Sequence, residues 1–262
     1  MPKCRKGRKS MLDLQKASVL KRISASIFDI IILATLAVGL MWGTSSFLKY
    51  ESYAERLRAR EEFYAEKYGV DFDITAKEYE ALTDEQKEIY ELASKEYGED
   101  KEAQYVYTMM FNLILIIVTF PILVSFLILE FIIPLCLKNG QTLGKKIFGI
   151  AVMQTNGTRI KHVTVFVRSI LGKYTVGTMI PVYCILPFAF GAGDLLGLIV
   201  AAIILVVQVA MVFATRTNSP IHDGLSSTVV VDFATQMIFE TEEELLEYKK
   251  KAAAKIAEER KY

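Results

Sequence analysis

The run from Lys21 to Phe47, KRISASIFDIIILATLAVGLMWGTSSF, constrains this chain most, because it is long and apolar enough to cross a bilayer yet carries a carboxylate near its start. At 1.5 Å per residue, Ile30 to Phe47 extended back to Ile23 covers the roughly 30 Å of hydrocarbon in a bilayer. Arg22, Ser26 and Asp29 are spaced four and three residues apart, which places them on one helix face that has to avoid lipid. Asp29 lies roughly 10 Å along the helix, where an ionised carboxylate facing lipid costs about 3 kcal/mol, so another part of the chain is expected to receive it.

Over half of the 262 residues are hydrophobic, at 52%, and they are gathered in blocks, the pattern of a polytopic membrane protein with soluble inserts. The formal net charge of +1 hides a segregation of charge along the chain. Cys4, Cys136 and Cys184 stand singly and offer no disulfide framework or CxxC pattern. Two histidines, His162 and His222, cannot make a metal site alone, so neither a metal nor a cofactor is expected. The first apolar run is about twice the length of a signal-peptide core and has no A-x-A site, so it reads as an uncleaved span.

Taken in order, residues 1–22 carry eight basic side chains against Asp13, which by the positive-inside rule holds this end in the cytoplasm. Leu12, Leu14, Ala17, Val19 and Leu20 form an amphipathic segment suited to a membrane surface, where the basic residues favour anionic lipid. Gly39 and Gly43 make a GxxxG pair open to close approach by a second copy or a partner membrane protein; the pair reads equally as two incidental glycines. From Lys49 to Glu102 there are seventeen acidic against nine basic residues, which places the stretch outside. Thr75 with Glu78 and Thr83 with Gln86 read as capping boxes, and Gly69 and Gly98 as helix stops, so the insert is expected to be a helical hairpin. Asp71 and Asp73 resemble the start of an EF-hand, but Ala76 and Leu82 occupy the positions that need Gly and Glu.

A second span is expected from about Tyr105 to Leu137, kinked at Pro121, with Glu130 at about the depth of Asp29. Two acids at matching depth suggest a polar centre, and the spacing predicts that they face each other with Arg168 in reach of at least one. From Lys138 to Lys173 the chain is basic without a single acid and so reads as cytoplasmic. The run Asn139 to Lys146 resembles a phosphate loop but is one residue short and lacks the Ser or Thr after its first lysine. Asn156-Gly157, between Ile147–Met153 and Thr158–Val163, is a strong hairpin signal, with Ser227–Phe233 as a third strand. Apolar sequence resumes at Val163–Leu171 around Arg168 and continues as a third span over Val176–Phe190; Leu195 to Ala214 makes a fourth, ending at Arg216. A tail helix begins at a Thr241–Glu244 capping box.

Four segments carry a resemblance: Lys21 to Asp29, Gly140 to Ile150, Val167-Arg168, and His222 to Val230. Together they resemble an RDD family membrane protein, whose naming arginine and two aspartates correspond to Arg22, Asp29 and Asp223. Ser226-Ser227 stands where the family pattern has an alanine–glycine pair. The resemblance implies a membrane fold and suggests transport of ions or small solutes.

The expected architecture is an all-α membrane protein: four transmembrane helices, a small cytoplasmic β-hairpin or mini-sheet, and a helical extracellular insert. The divisions are 1–48, 49–104, 105–235 and 236–262, in a multi-pass cell-membrane protein with both termini cytoplasmic. Arg22, Asp29, Glu130, Arg168 and Asp223 form the candidate cluster, with Asp223 read as structural and held by backbone amides or Arg168. That cluster serves either ion or solute transport, with proton–cation exchange one form of it, or a non-transporting scaffold whose charges fix helix register. The bilayer is the expected partner, and no nucleic acid is. No GxSxG, HExxH or nucleotide loop supports an enzyme.

Overall fold

The computed structural model describes residues 14–137, 139–190, 193, 195–215 and 217–259. Most of the basic leader, with Cys4, therefore lies outside the described residues, as do Lys138 and Arg216. Helix α1 (Val19–Phe47) is the first span, and an insert follows with α2 (Tyr50–Tyr68), α3 (Ala76–Glu80) and α4 (Asp84–Glu99). Helix α5 (Lys101–Phe126) continues through a π-helical turn, Leu127–Ile132, into α6 (Ile133–Cys136). Then come α7 (Leu143–Ile147), β1 (Ile150–Gln154) and α8 (His162–Phe166), which runs through a π-helical stretch, Val167–Met179, into α9 (Ile180–Ile185) and a 3₁₀ turn, Leu186–Phe190. The chain closes with α10 (Leu195–Ala214), α11 (Ile221–Leu225), β2 (Thr228–Asp232) and α12 (Glu242–Glu259).

Four of these helical runs are long and apolar enough to cross a membrane: Val19–Phe47, Lys101–Cys136, His162–Phe188 and Leu195–Ala214. The third starts earlier than its hydropathy suggests, because the polar residues at Arg168 and Lys173 belong to the helix itself. Helix α10 turns Leu195, Leu205, Val206 and Phe213 outward, as a lipid-facing helix must.

The chain divides into two compact units, residues 1–36 with 123–262, and residues 37–122. In the second, α2 and α4 form the expected hairpin around an aromatic ladder in which Tyr97 meets Tyr64 and Phe72, and Tyr90 meets Phe72 and Tyr79, at centroid distances of 5.2–5.9 Å. Both capping boxes form, at Thr75–Glu78 and Thr83–Gln86. Gly69 stops α2 in the left-handed region, whereas Gly98 lies within α4, which ends at Asp100. Asp71 accepts the Asp73 N–H, an Asx turn rather than a cation loop.

In the first unit the core is the sheet. Strands β1 and β2 pair antiparallel, Val152 opposite Val230 and Met153 opposite Val229. Alternation gives the pair two apolar faces. Ile150, Val152 and Val230 pack with Ala17, Ala25 and Val165, while Ala151, Met153, Val229 and Val231 pack with Ile238. Each fully buried valine contributes about 1.5–3 kcal/mol. The Asn156-Gly157 turn forms, but its second arm supplies one bridge to β1, Met153 to Arg159, and β2 takes the place expected for it. The reason is burial on both sides: β2 offers Val229, Val230 and Val231, whereas the other arm carries Arg159, Lys161 and His162. At the tail, Glu244 donates its N–H to Thr241, but its carboxylate reaches the Glu240 N–H rather than that of Thr241.

Candidate functional site

The chemistry of the first unit gathers where α1, the π turn of the second span, the π stretch of the third span, α7 and α11 carry their charged residues. Asp29 is received by α7. Thr142, the N-cap of that helix, donates its hydroxyl to Asp29 Oδ2, and Gly144 donates its N–H to Oδ1 at 2.8 Å. A Cβ on Gly144 would lie 2.3 Å from the Ala25 carbonyl and 2.9 Å from Asp29 Oδ1, so only glycine lets α7 dock against α1. The segment that resembled a phosphate loop is thus a clasp for the protein's own carboxylate. Lys145, 7% exposed, follows in the same turn, its Nζ 3.1 Å from Thr142 Oγ1 and 3.9 Å from Asp29 Oδ2.

Glu130 sits on the π turn of the second span, where the i to i−5 bonding displaces side chains from the α-helical face. Its carboxylate pairs with Lys173 at 2.5 Å, and its backbone carbonyl accepts the Ser169 hydroxyl. Both partners come from the π stretch Val167–Met179. Residues five apart are joined in such a stretch, so Arg168 and Lys173 come to one side although α-helical spacing would separate them.

Asp223, fully buried on α11, stands between two guanidinium groups. Arg22 Nη2 donates to its Oδ2 at 2.9 Å, and Arg22 Nη1 to the Thr217 carbonyl at 3.2 Å. Arg168 Nη2 approaches Oδ1 at 2.6 Å but off the hydrogen-bond direction, leaving that oxygen with a charge contact and no aligned donor. Arg168 Nη1 donates to Thr228 Oγ1 at 3.3 Å. His222 Nε2 lies 3.5 Å from Oδ1, and burial, reinforced by Arg168, pushes this imidazole well below its ordinary range, so it is neutral. Gly172 lets α11 approach, since a Cβ there would meet His222 Cβ at 2.5 Å.

The five candidate residues are therefore split. Arg22, Arg168 and Asp223 form one triad, while Asp29 and Glu130 each have their own lysine, with no bond or ion pair between the two acids among the described residues. Arg168 pairs with Asp223 rather than with either acid. Lys145 is the group that senses both: burial, helped by the Lys173 and Arg168 charges and opposed by Glu130 and Asp29, brings its amine down to about 7. Gly39 and Gly43 have nothing within 4 Å of where a Cβ would stand. Sequence reading missed Lys145, Lys173, Thr142 and Gly144. Lys173 did leave a signal, as a lysine inside an apolar run five residues after Arg168.

Beside these pairs is a cavity of about 210 Å³ whose charged lining is Arg22, Lys145, Arg168 and Lys173, with His222 and no carboxylate. Among the described residues, no three His, Cys, Asp or Glu side chains are grouped to hold a metal.

Four helical runs of lipid-crossing length, with a buried cluster of ion pairs and a two-stranded sheet in the first unit, define a polytopic membrane protein. The chain belongs to the RDD family, whose model matches residues 16–227 and so includes every residue of the cluster. No curated protein and no solved structure matches it.

Proposed function

We propose that this RDD-family chain carries ions or small solutes across the bilayer, and that the cavity lined by Arg22, Lys145, Arg168 and Lys173 is where the solute is held. The observation that supports it is that cavity: four basic side chains brought to one small volume within a helical membrane bundle, where an idle charge is costly. All three acids are already paired, so a cation entering at Asp29 or Glu130 would have to displace a lysine, which argues against plain cation–proton exchange. Helix α1 measures about 43 Å by its rise, longer than the hydrocarbon needs, so its first turns can lie beside the sheet at the membrane surface.

In this reading the charged end of the bundle and both termini face the cytoplasm, against anionic lipid, and the acidic insert faces outward in a multi-pass cell-membrane protein. No catalytic step is assigned. A single cysteine at Lys250 should stay protected from an impermeant reagent in intact cells while one at Lys77 is labelled; the reverse result overturns the orientation. Reconstituted into liposomes with a pH-sensitive dye, the protein should move protons only when a transportable ion is supplied, and Lys145→Gln should abolish that movement while the protein stays folded.

A scaffold role is the second reading, favoured by Asp223 between two arginines, an arrangement suited to fixing helix register. Wild-type liposomes indistinguishable from empty ones across monovalent cations and anions would favour the scaffold.

A further inference from the structure

We propose that the cavity bounded by α1, α7, α11 and the π stretch of the third span binds a small oxyanion of the phosphate type. This rests on reading that cavity as the ligand site, but not on flux. Three observations carry it. First, the lining is one-signed: Arg22, Lys145, Arg168 and Lys173 line the cavity, whereas Asp29, Glu130 and Asp223, the acids that pair with them, do not. Three carboxylates face four basic groups, which leaves one positive charge over when Lys145 is protonated. Second, donors remain: among the described residues the buried Lys145 ammonium, which has three N–H groups to give, finds one hydrogen-bond acceptor, Thr142 Oγ1, and Asp29 at 3.9 Å is beyond bonding distance. Third, at about 210 Å³ the cavity is below the size of sites for drug-like ligands, so it suits a small headgroup or free ion. Apart from Ser26 and the neutral His222 its remaining walls, Ile23, Ile27 and Val212 among them, are apolar, and they strengthen charge-assisted bonds to an anion.

Anion and proton are then coupled. The groups facing the Lys145 amine are Asp29 and Arg22 from α1, Glu130 from the π turn, Arg168 and Lys173 from the third span, and His222 from α11. A bound anion adds the missing counter-charge and draws a proton onto the amine, which burial otherwise holds near 7. Affinity should fall as the pH is raised from about one unit below that value to about one unit above it.

The phosphate group can come from water or from an anionic lipid headgroup, and the experiment separates them. The full chain is placed in phosphatidylcholine nanodiscs and its melting temperature followed against inorganic phosphate, with chloride at matched ionic strength as control. A saturable rise is expected. Lys145→Gln should weaken apparent affinity about tenfold or more, as expected for losing a charge-assisted bond. Ser26→Glu, at the exposed rim of the cavity, puts a carboxylate there without breaking an ion pair and should remove the rise. If phosphate does nothing but phosphatidylglycerol in the disc raises the melting temperature and Ser26→Glu cancels that, the headgroup is the ligand and the site stands. No response to either anion overturns the proposal, as does a response that both variants retain. Saturable binding without liposome flux removes the transport reading and keeps the site; flux without anion binding does the opposite.

Discussion

The cluster of the first unit and the insert of the second both rely on ion pairs, but the same chemistry has different consequences in the two places. In the insert, Arg60 pairs with Asp100, Lys67 with Glu96 and Arg56 with Glu102, with at least one partner of each pair about a third or more exposed. Water can replace a lost partner there, and such pairs contribute little. In the cluster, Arg168 and Asp223 are 6% and 0% exposed and Lys145 and Asp29 are 8% and 12% exposed, so a broken pair leaves a charge with nowhere to go. Burial, more than the number of pairs, decides what each one holds together.

The comparison breaks most readily at its two aspartates. Asp223→Ala should cost about 3–5 kcal/mol in detergent, because two arginines lose their shared counter-charge. Asp100→Ala should shift the melting temperature far less. If the two substitutions cost the same, the distinction is wrong. Replacing Arg22 and Arg168 with methionine alongside Asp223→Ala should recover part of the loss.

The next largest effect is one of pH. The unfolded Lys145 amine holds its proton up to about 10.5, whereas the folded one releases it near 7. Between those values the unfolded state binds more protons, so stability rises with pH, and Lys145→Met should flatten that rise in a series of thermal melts. Smaller again is the steric test. Gly144→Ala should cost about 1–3 kcal/mol by forcing α7 off Asp29, whereas Gly43→Ala, with open space around it, should be close to neutral; an equal loss at Gly43 would show a second helix packed there.

Ser227 offers a gain. Its φ of 49° is left-handed, a region in which glycine is unstrained, so Ser227→Gly should raise stability by about 1 kcal/mol, read from the same melts. The least effect belongs to the insert in acid. The Arg60 hydrogen bond, with the Ala103 N–H, draws the Asp100 carboxyl down to about 2 from 3.8. Its contribution is present above 3.8 and lost as pH falls through about 2, which hydrogen exchange in α4 should follow. Exchange in the cluster's helices should not change over that window through this group.

Much of the fold was legible because it obeys one period or one local rule: the spans by length and hydropathy, the boxes at Thr75 and Thr83 by three-residue spacing, and β2 by its valine run. Asp223 with Arg168 was also within reach, since a buried acid needs a cation. Hidden from periodicity were the partners of Asp29 and Glu130. The first depends on α7 folding back to α1 across more than a hundred residues, and the second on two π-helical segments whose phase departs from 3.6 residues per turn. The hairpin misled for a related reason: the local turn signal at Asn156-Gly157 was right, but strand choice is settled by what can be buried on both faces.

The bond from Arg22 to Asp223 spans 201 positions, and that separation sets a clock on biosynthesis. At about 5–20 residues per second, roughly 10–40 s pass between the emergence of the arginine from the ribosome and that of its partner. Throughout that interval the first helix must be placed in the membrane with its arginine waiting, and Arg168 joins it unpaired before the aspartate arrives. Quality control therefore has a natural checkpoint at α11: a nascent chain halted before residue 223 is inserted yet unlatched. Such truncations should be cleared by membrane proteases, while chains released after β2 should persist.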